Sequence, residues 1–147
     1  MLSDIFEPGH INLDLQSKTK TGVFGELIGT ITATNTGFDS RMLLEAVTMR
    51  ENKMNTIILP GIAIPHGYSN SINGIVGAIG FSRTGIEYEN TGKDLVHLFF
   101  LLLMDIKSQE QHLHVLSMLM ELLSSVEFAK IRESGTPQEM YSLLCRF

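Results

Sequence analysis

Cysteine is nearly absent: Cys145 is the single one in 147 residues. No intramolecular disulfide can form, which excludes a disulfide-stapled secreted fold. No basic excess exists either, since 11 Lys and Arg face 16 Asp and Glu for a net charge of −5. Nucleic-acid binding normally requires a clustered basic face, so nucleic acid is not an expected partner. Long apolar runs are missing. The longest, Leu95 to Met104, contains His97 and is half the ~20 residues a membrane span needs, so no membrane insertion is expected. The opening, Met1 to Pro8, lacks the basic and apolar regions of a signal peptide. Walker, Gly-x-Gly-x-x-Gly, Gly-x-Ser-x-Gly and Cys-x-x-Cys patterns are all absent, which closes the usual routes to nucleotide, serine-hydrolase and dithiol chemistry. No repeat or low-complexity tract is present. The expectation is one cytoplasmic, soluble domain spanning residues 1–147.

What is present is an alternation of helical and extended segments, the pattern of an α/β domain with a largely buried sheet. After an extended opening at Ile11, Leu13 and Leu15, a helical period starts near Lys18. It carries Val23, Leu27 and Ile31 with Phe24 and Ile28, and ends at Asn35-Thr36-Gly37. Gly25 and Gly29 within it weaken a helix, so they are expected to allow close packing. Asp39 caps a second helix, about Ser40 to Glu51, with Leu43, Leu44 and Val47 inward and Asn52 closing it. Ile57 to Leu59 and Gly61 to Ile64 read as strand, interrupted at Pro60. Ile75 to Phe81 is a strand followed by turns at Arg83-Thr84-Gly85 and Asn90-Thr91-Gly92. Leu95 to Met104, apolar without alternation, belongs at the sheet centre. Ser108-Gln109-Glu110-Gln111 spells a capping box, followed by a stripe of Leu113, Leu116, Leu119 or Met120, and Leu123. A short helix follows around Phe128 to Glu133. Thr136-Pro137-Gln138-Glu139 opens the last helix with a cap, a proline at the first position and a Glu at the third.

With those motifs missing, the five histidines carry the functional weight. His66 follows Ile64-Pro65, which holds the backbone extended, and precedes Gly67, which permits an abrupt turn. The ring is expected at a strand end among small and apolar neighbours; a packed loop histidine is the plainer alternative. His112 falls in the first turn of the capped helix, where free N–H groups and the dipole favour an anion by ~0.3–1 kcal/mol. His114 is about 200° further round that helix and cannot share a site with His112. Arg50, at the end of the second helix, has a fork of donors suited to a phosphate, although the helix dipole alone would place an arginine there. His97 reads as a hydrogen-bonded core residue and His10 as a surface one.

Gly61-Ile62-Ala63-Ile64-Pro65-His66-Gly67, with Arg50-Glu51 before it and His112-Leu113 after it, resembles the enzyme IIA domain of the bacterial phosphotransferase system, fructose/mannitol class. The likeness covers nearly the whole chain: Gly85-Ile86-Glu87, Val96 to Leu102 and His112-Leu113-x-x-Leu116 fall in the family's order. Leu2-x-Asp4 followed by Ile11-x-Leu13-Asp14-Leu15 looks closest to the nitrogen-regulatory branch. The chain departs from the family at Thr56-Ile57-Ile58-Leu59-Pro60, where Thr-Gly-x-Gly is usual, so bulkier residues replace two glycines.

The resemblance implies a mixed parallel and antiparallel sheet of about five strands with helices on both faces. It implies that His66 carries a phosphoryl group, with His112 beside it and Arg50 nearby, and that no nucleotide, other cofactor or metal is needed. The implied partners are the phosphocarrier protein HPr or its nitrogen-branch counterpart, and then a IIB component for sugar uptake. A regulatory module, in which phosphorylation of His66 alters binding to a transporter or kinase, is the alternative. A metal-dependent hydrolase using His66, His97 and His112 is a weaker rival, because it lacks a carboxylate cluster and a helical i, i+4 pair.

Overall fold

The computed structural model describes residues 1–89 and 94–147. Two short 3-10 turns, Leu2–Asp4 and Pro8–His10, lead into β1 (Ile11–Asn12), much shorter than the extended opening suggested. Helices α1 (Lys20–Thr34) and α2 (Ser40–Lys53) follow, then β2 (Ile57–Leu59), β3 (Ile62–Ala63), β4 (His66–Tyr68), β5 (Ile75–Glu87) and β6 (Leu95–Met104). The chain finishes with α3 (Gln109–Leu123), α4 (Val126–Ser134) and α5 (Pro137–Leu144).

The sheet is mixed. Its order is β1-β5-β6-β3-β2, with β4 also paired to β6. β5 runs antiparallel to β6, from Ile75 opposite Met104 to Glu87 opposite Leu95. β3 and β4 both run parallel to β6, against Leu98–Phe99 and Leu102–Met104 respectively. Six strands therefore occupy five positions, because β3 and β4 lie end to end along one edge of β6. The break between them is Ile64-Pro65, and His66 is the first residue beyond it. β2 folds back on β3 alone, about a turn at Pro60-Gly61 where Gly61 takes φ +80°. The edge of β4 consequently remains free of any strand among the described residues, and α2 packs against one face of the strand.

β6 shows why its sequence does not alternate. Leu98, Phe100, Leu102 and Met104 enter one core with Val115, Leu119 and Leu122 of α3, Phe128 of α4, and Met140, Leu143 and Leu144 of α5. Phe99, Leu101 and Leu103 enter the other with Val23, Phe24, Leu27, Ile28 and Ile31 of α1 and Leu43 and Val47 of α2. A strand covered on both faces has no polar side to present. The parity slips at one place: the Gly61 carbonyl accepts from both His97 N and Leu98 N, a bulge that puts Val96 in the second core.

Several local expectations need correction. Gly25 and Gly29 are not packing notches, since an added Cβ at either meets nothing within 4 Å. Arg83-Thr84-Gly85 does not end β5. It forms an irregularity inside it, where the register shifts between Phe81 and Ile86 and Gly85 takes φ +79°. The expected turn at Asn90-Thr91-Gly92 lies outside the described residues. Ser108 precedes α3 but makes no side-chain capping bond, so the box there is spelled without being formed; the one at Thr136 and Glu139 is formed in both directions. The buried stripe of α3 is Val115, Leu119 and Leu122, whereas Leu113 is 70% exposed. His10 is fully buried, its ring spanning the Gly77 carbonyl at 3.2 Å and Thr34 Oγ1 at 2.8 Å. A histidine bridging a strand and a helix terminus in this way is an internal fastener.

Candidate functional site

β4 is short, and its three residues divide between the sheet faces as a pleat requires. Gly67 points at α2, where an added Cβ would lie 2.9 Å from Val47 N and 3.0 Å from the Ala46 carbonyl carbon. Both are backbone atoms, so only glycine lets the helix come this close. Gly67 therefore serves close approach within a strand and not the abrupt turn read from sequence. His66 and Tyr68 project to the opposite face, toward α3. Pro65 keeps the strand extended, and its carbonyl accepts from Leu102 N at 2.9 Å, which locks β4 to β6 beside the histidine.

On that face three rings meet. The His66 and His112 centroids are 4.9 Å apart, Tyr68 to His112 6.1 Å, and His66 to Tyr68 6.4 Å. His112 is the fourth residue of α3, its backbone N–H bonded to the Ser108 carbonyl at 2.9 Å. All three side chains are half-buried, neither sealed nor fully in solvent. The His66 Nδ1 lies 3.0 Å from the Ile64 carbonyl oxygen. A carbonyl only accepts, so Nδ1 carries the proton and Nε2 keeps its lone pair. Tyr68 Oη is 3.0 Å from His112 Nδ1, and His112 Nε2 is buried without a hydrogen-bond partner among the described residues.

Burial and neighbouring charge disfavour the protonated form of both rings. Burial pushes the His66 pKa below the usual 6.5 and the Arg50 charge lowers it further, against opposing contributions from the Ile64 bond and Glu51. Burial likewise lowers His112, assisted by His66 and Arg50. Arg50 is half-buried at the end of α2, and its Nη1 donates to the Met54 carbonyl at 2.9 Å. That bond also holds the chain leaving α2 toward β2. The neighbouring Glu51 is buried and accepts from Thr56 N at 3.1 Å and Thr56 Oγ1 at 2.7 Å, with Lys20 Nζ at 3.3 Å. Two imidazoles whose charged forms are disfavoured, both within reach of the Arg50 charge, make a place that resists added positive charge and suits an anion.

The structure thus brings His66, His112 and Arg50 to one place. It does not bring His97 there. That ring bonds the Ser82 carbonyl at 2.8 Å, five residues down β6 from the residue opposite His66, about 17 Å away. The three-histidine metal centre is therefore not assembled, and among the described residues no group of three His, Cys, Asp or Glu side chains is placed to hold a metal ion. His114 is exposed on the far side of α3. Tyr68 joins His66 and His112 without belonging to the motif; its sequence signal is its place two residues after His66 on an extended segment, hence on the same face.

Residues 4–146 match the family described as the phosphoenolpyruvate-dependent sugar phosphotransferase system, EIIA 2. The chain belongs to this family. It is 31% identical over 144 residues to a nitrogen regulatory protein of Bradyrhizobium diazoefficiens, covering 97% of this chain and 94% of that protein. It is 30% identical over 129 residues to the fructose-specific EIIABC component of the phosphotransferase system of Bacillus subtilis, covering 88% of this chain but spanning only 20% of that longer protein. Among solved structures, the nitrogen regulatory protein IIA-Ntr of Neisseria meningitidis superposes with a TM-score of 0.82 at 27% identity, over 97% of this chain and 98% of that one. The fold also matches, at 15% identity and a TM-score of 0.78, the mannitol enzyme IIA of Escherichia coli solved in complex with phosphorylated IIB, over 97% and 100% of the two chains. The enzyme IIA fold is thus that of the sugar-specific and nitrogen-regulatory members alike. Among the described residues no helix is long and apolar enough to cross a membrane.

Proposed function

We propose that this enzyme IIA is a phosphoryl carrier of the phosphoenolpyruvate-dependent system and that His66 Nε2 is the nitrogen that takes the phosphoryl group. The observation that supports it most is the pairing of His66 with His112, rings 4.9 Å apart, with the His66 Nδ1 proton donated to the Ile64 carbonyl. That bond leaves the outer nitrogen unprotonated, as a nucleophile must be. In the transfer, the N–P bond of a phosphohistidine on the phosphocarrier HPr, or its nitrogen-branch counterpart, breaks with its electron pair returning to the donor nitrogen. The Nε2–P bond forms on the opposite side of phosphorus. Such a transition state is loose, so the protein contributes positioning and charge stabilisation. Arg50 offsets the negative charge that arrives, His112 donates a hydrogen bond to a phosphoryl oxygen, and buried Ile62 and Ile64 keep water from the new bond. In this reading the protein works in the cytoplasm, where it meets the carrier.

The docking face is the rim of the ring cluster. Met42 and Met49, 61% and 67% exposed on α2, line a surface cavity with Ile106 and Tyr68, so flexible apolar side chains lie beside the ring cluster. Both donor and acceptor must use this face in turn, which calls for a small, transient interface. Onward transfer to a IIB component for sugar uptake is the first reading of the output. Full-length similarity to nitrogen regulatory proteins favours a second, in which the phosphorylation state of His66 controls binding to a transporter or kinase. Incubation with enzyme I, the carrier and labelled phosphoenolpyruvate tests the shared step. Wild-type protein should take up acid-labile label and His66→Ala none; label retained by His66→Ala would overturn the assignment. Chasing the label into a sugar-specific IIB supports the first output, and its retention on this chain supports the second.

A further inference from the structure

We propose that Tyr68 is a positioning residue for His112: its hydroxyl donates to His112 Nδ1 and so leaves the Nε2–H of His112 free to bond a phosphoryl oxygen on His66. The inference rests on the carrier reading above and adds to it a residue that chemistry at His66 alone would not single out.

Three observations carry it. Tyr68 Oη and His112 Nδ1 are 3.0 Å apart, within hydrogen-bond distance. The phenol is the stronger acid and the imidazole nitrogen the stronger base, so the bond runs O–H to N and not the reverse. A neutral ring that accepts at Nδ1 must carry its proton at Nε2, and that atom is buried with no partner among the described residues. A buried donor without an acceptor is costly to maintain. The ring bearing it lies 4.9 Å from His66, where an arriving phosphoryl group supplies oxygen acceptors. The alternative tautomer would turn a lone pair toward an anion and repel it. Backbone geometry also holds the pair together: β4 is hydrogen-bonded along β6, and Tyr68 opposes Met104 only four residues before the Ser108 cap of α3.

The test uses the full chain with nitrogen-15-labelled histidine. The ring-nitrogen shifts of His112 report its tautomer directly, and transfer from phosphorylated HPr is followed in parallel on wild type, Tyr68→Phe and Tyr68→Gln. Wild-type His112 should hold its proton on Nε2. Tyr68→Phe should give a mixture of tautomers and slow transfer by about tenfold, part of the ~100-fold or more that loss of an oriented anion donor causes, while label still reaches His66. Tyr68→Gln, whose amide N–H can donate to Nδ1, should restore both the tautomer and most of the rate. A wild-type His112 protonated on Nδ1 overturns the proposal without any variant having to fold. So does an unchanged transfer rate in a folded Tyr68→Phe protein. Wild-type protein that takes no label on His66 overturns the carrier reading and this proposal with it, whereas a wrong tautomer in protein that labels normally overturns this proposal alone.

Discussion

Replacing Gly67 by alanine adds one methyl group where β4 crosses α2. The new Cβ would sit 2.9 Å from Val47 N and 3.0 Å from the Ala46 carbonyl carbon. Ordinary contacts of this kind lie near 3.5 Å or beyond, so strand and helix must separate by about 0.5 Å. Neither atom belongs to a side chain that could swing aside. Overpacking of this kind costs about 1–3 kcal/mol. It also has a functional consequence, because His66 adjoins Gly67 in β4 and Arg50 lies one turn beyond Ala46 on α2. A displacement of 1 Å can reduce a positioned reaction by ~100-fold, so half of that should slow phosphoryl transfer by about tenfold. Gly29→Ala is the internal control. That glycine is exposed within α1 with nothing near its missing Cβ, and alanine there should stabilise the protein by about 0.5–1 kcal/mol with transfer unchanged. Urea unfolding and carrier-dependent labelling of both variants provide the readouts. A Gly67→Ala protein as stable and as active as wild type would show that the contact with α2 does not position the site.

Protonation gives a second check. Both site histidines are held below 6.5 in the folded protein, so on acidification the unfolded chain takes up protons first and stability falls as pH drops below 6.5. Phosphate acceptance should hold through 6.5 and decline only at lower pH; an acid limb centred at or above 6.5 in a pH–rate profile would contradict the neutral-ring account. Arg50→Lys keeps the charge and loses the planar fork, so transfer should drop by about three- to tenfold while both histidines remain low in an NMR titration. Unaltered transfer would remove the guanidinium from the site. Glu51→Ala leaves Thr56 N and the half-buried Lys20 without their shared acceptor, and should cost about 2–4 kcal/mol in urea unfolding; a loss under 1 kcal/mol would mean that water replaces the carboxylate.

The legible parts of the chain are those where local chemistry and long-range packing agree. Asp39 accepts from Arg41 N and Met42 N, as its position before an apolar stripe suggests, and the Thr136 box closes on Glu139. Leu95–Met104 reads as a central strand because both of its faces are covered. Reading fails where tertiary contacts choose among local options. His10 looks like a surface residue near a terminus, yet Pro8–His10 packs against α1 and β5, burying the ring between Gly77 and Thr34. Leu113 fits a helical stripe as well as Val115 does, and only the direction from which the sheet approaches α3 decides between them. Gly25 and Gly67 are alike as letters; one faces open space and the other a helix backbone. At the site, His66, His112 and Arg50 were marked by the motif they share with the enzyme IIA family. Tyr68 shares the His66 face by its i, i+2 spacing, but it lies outside the shared motif, and only the approach of α3 pairs it with His112.

The central claim is that the outer nitrogen of His66 receives the phosphoryl group. Phosphorus–nitrogen correlation NMR on the labelled, phosphorylated protein tests it most directly. The account predicts a single phosphohistidine at position 66, bonded through Nε2, with Nδ1 still protonated toward Ile64. Phosphate on Nδ1, on His112, or on any residue other than His66 would contradict it.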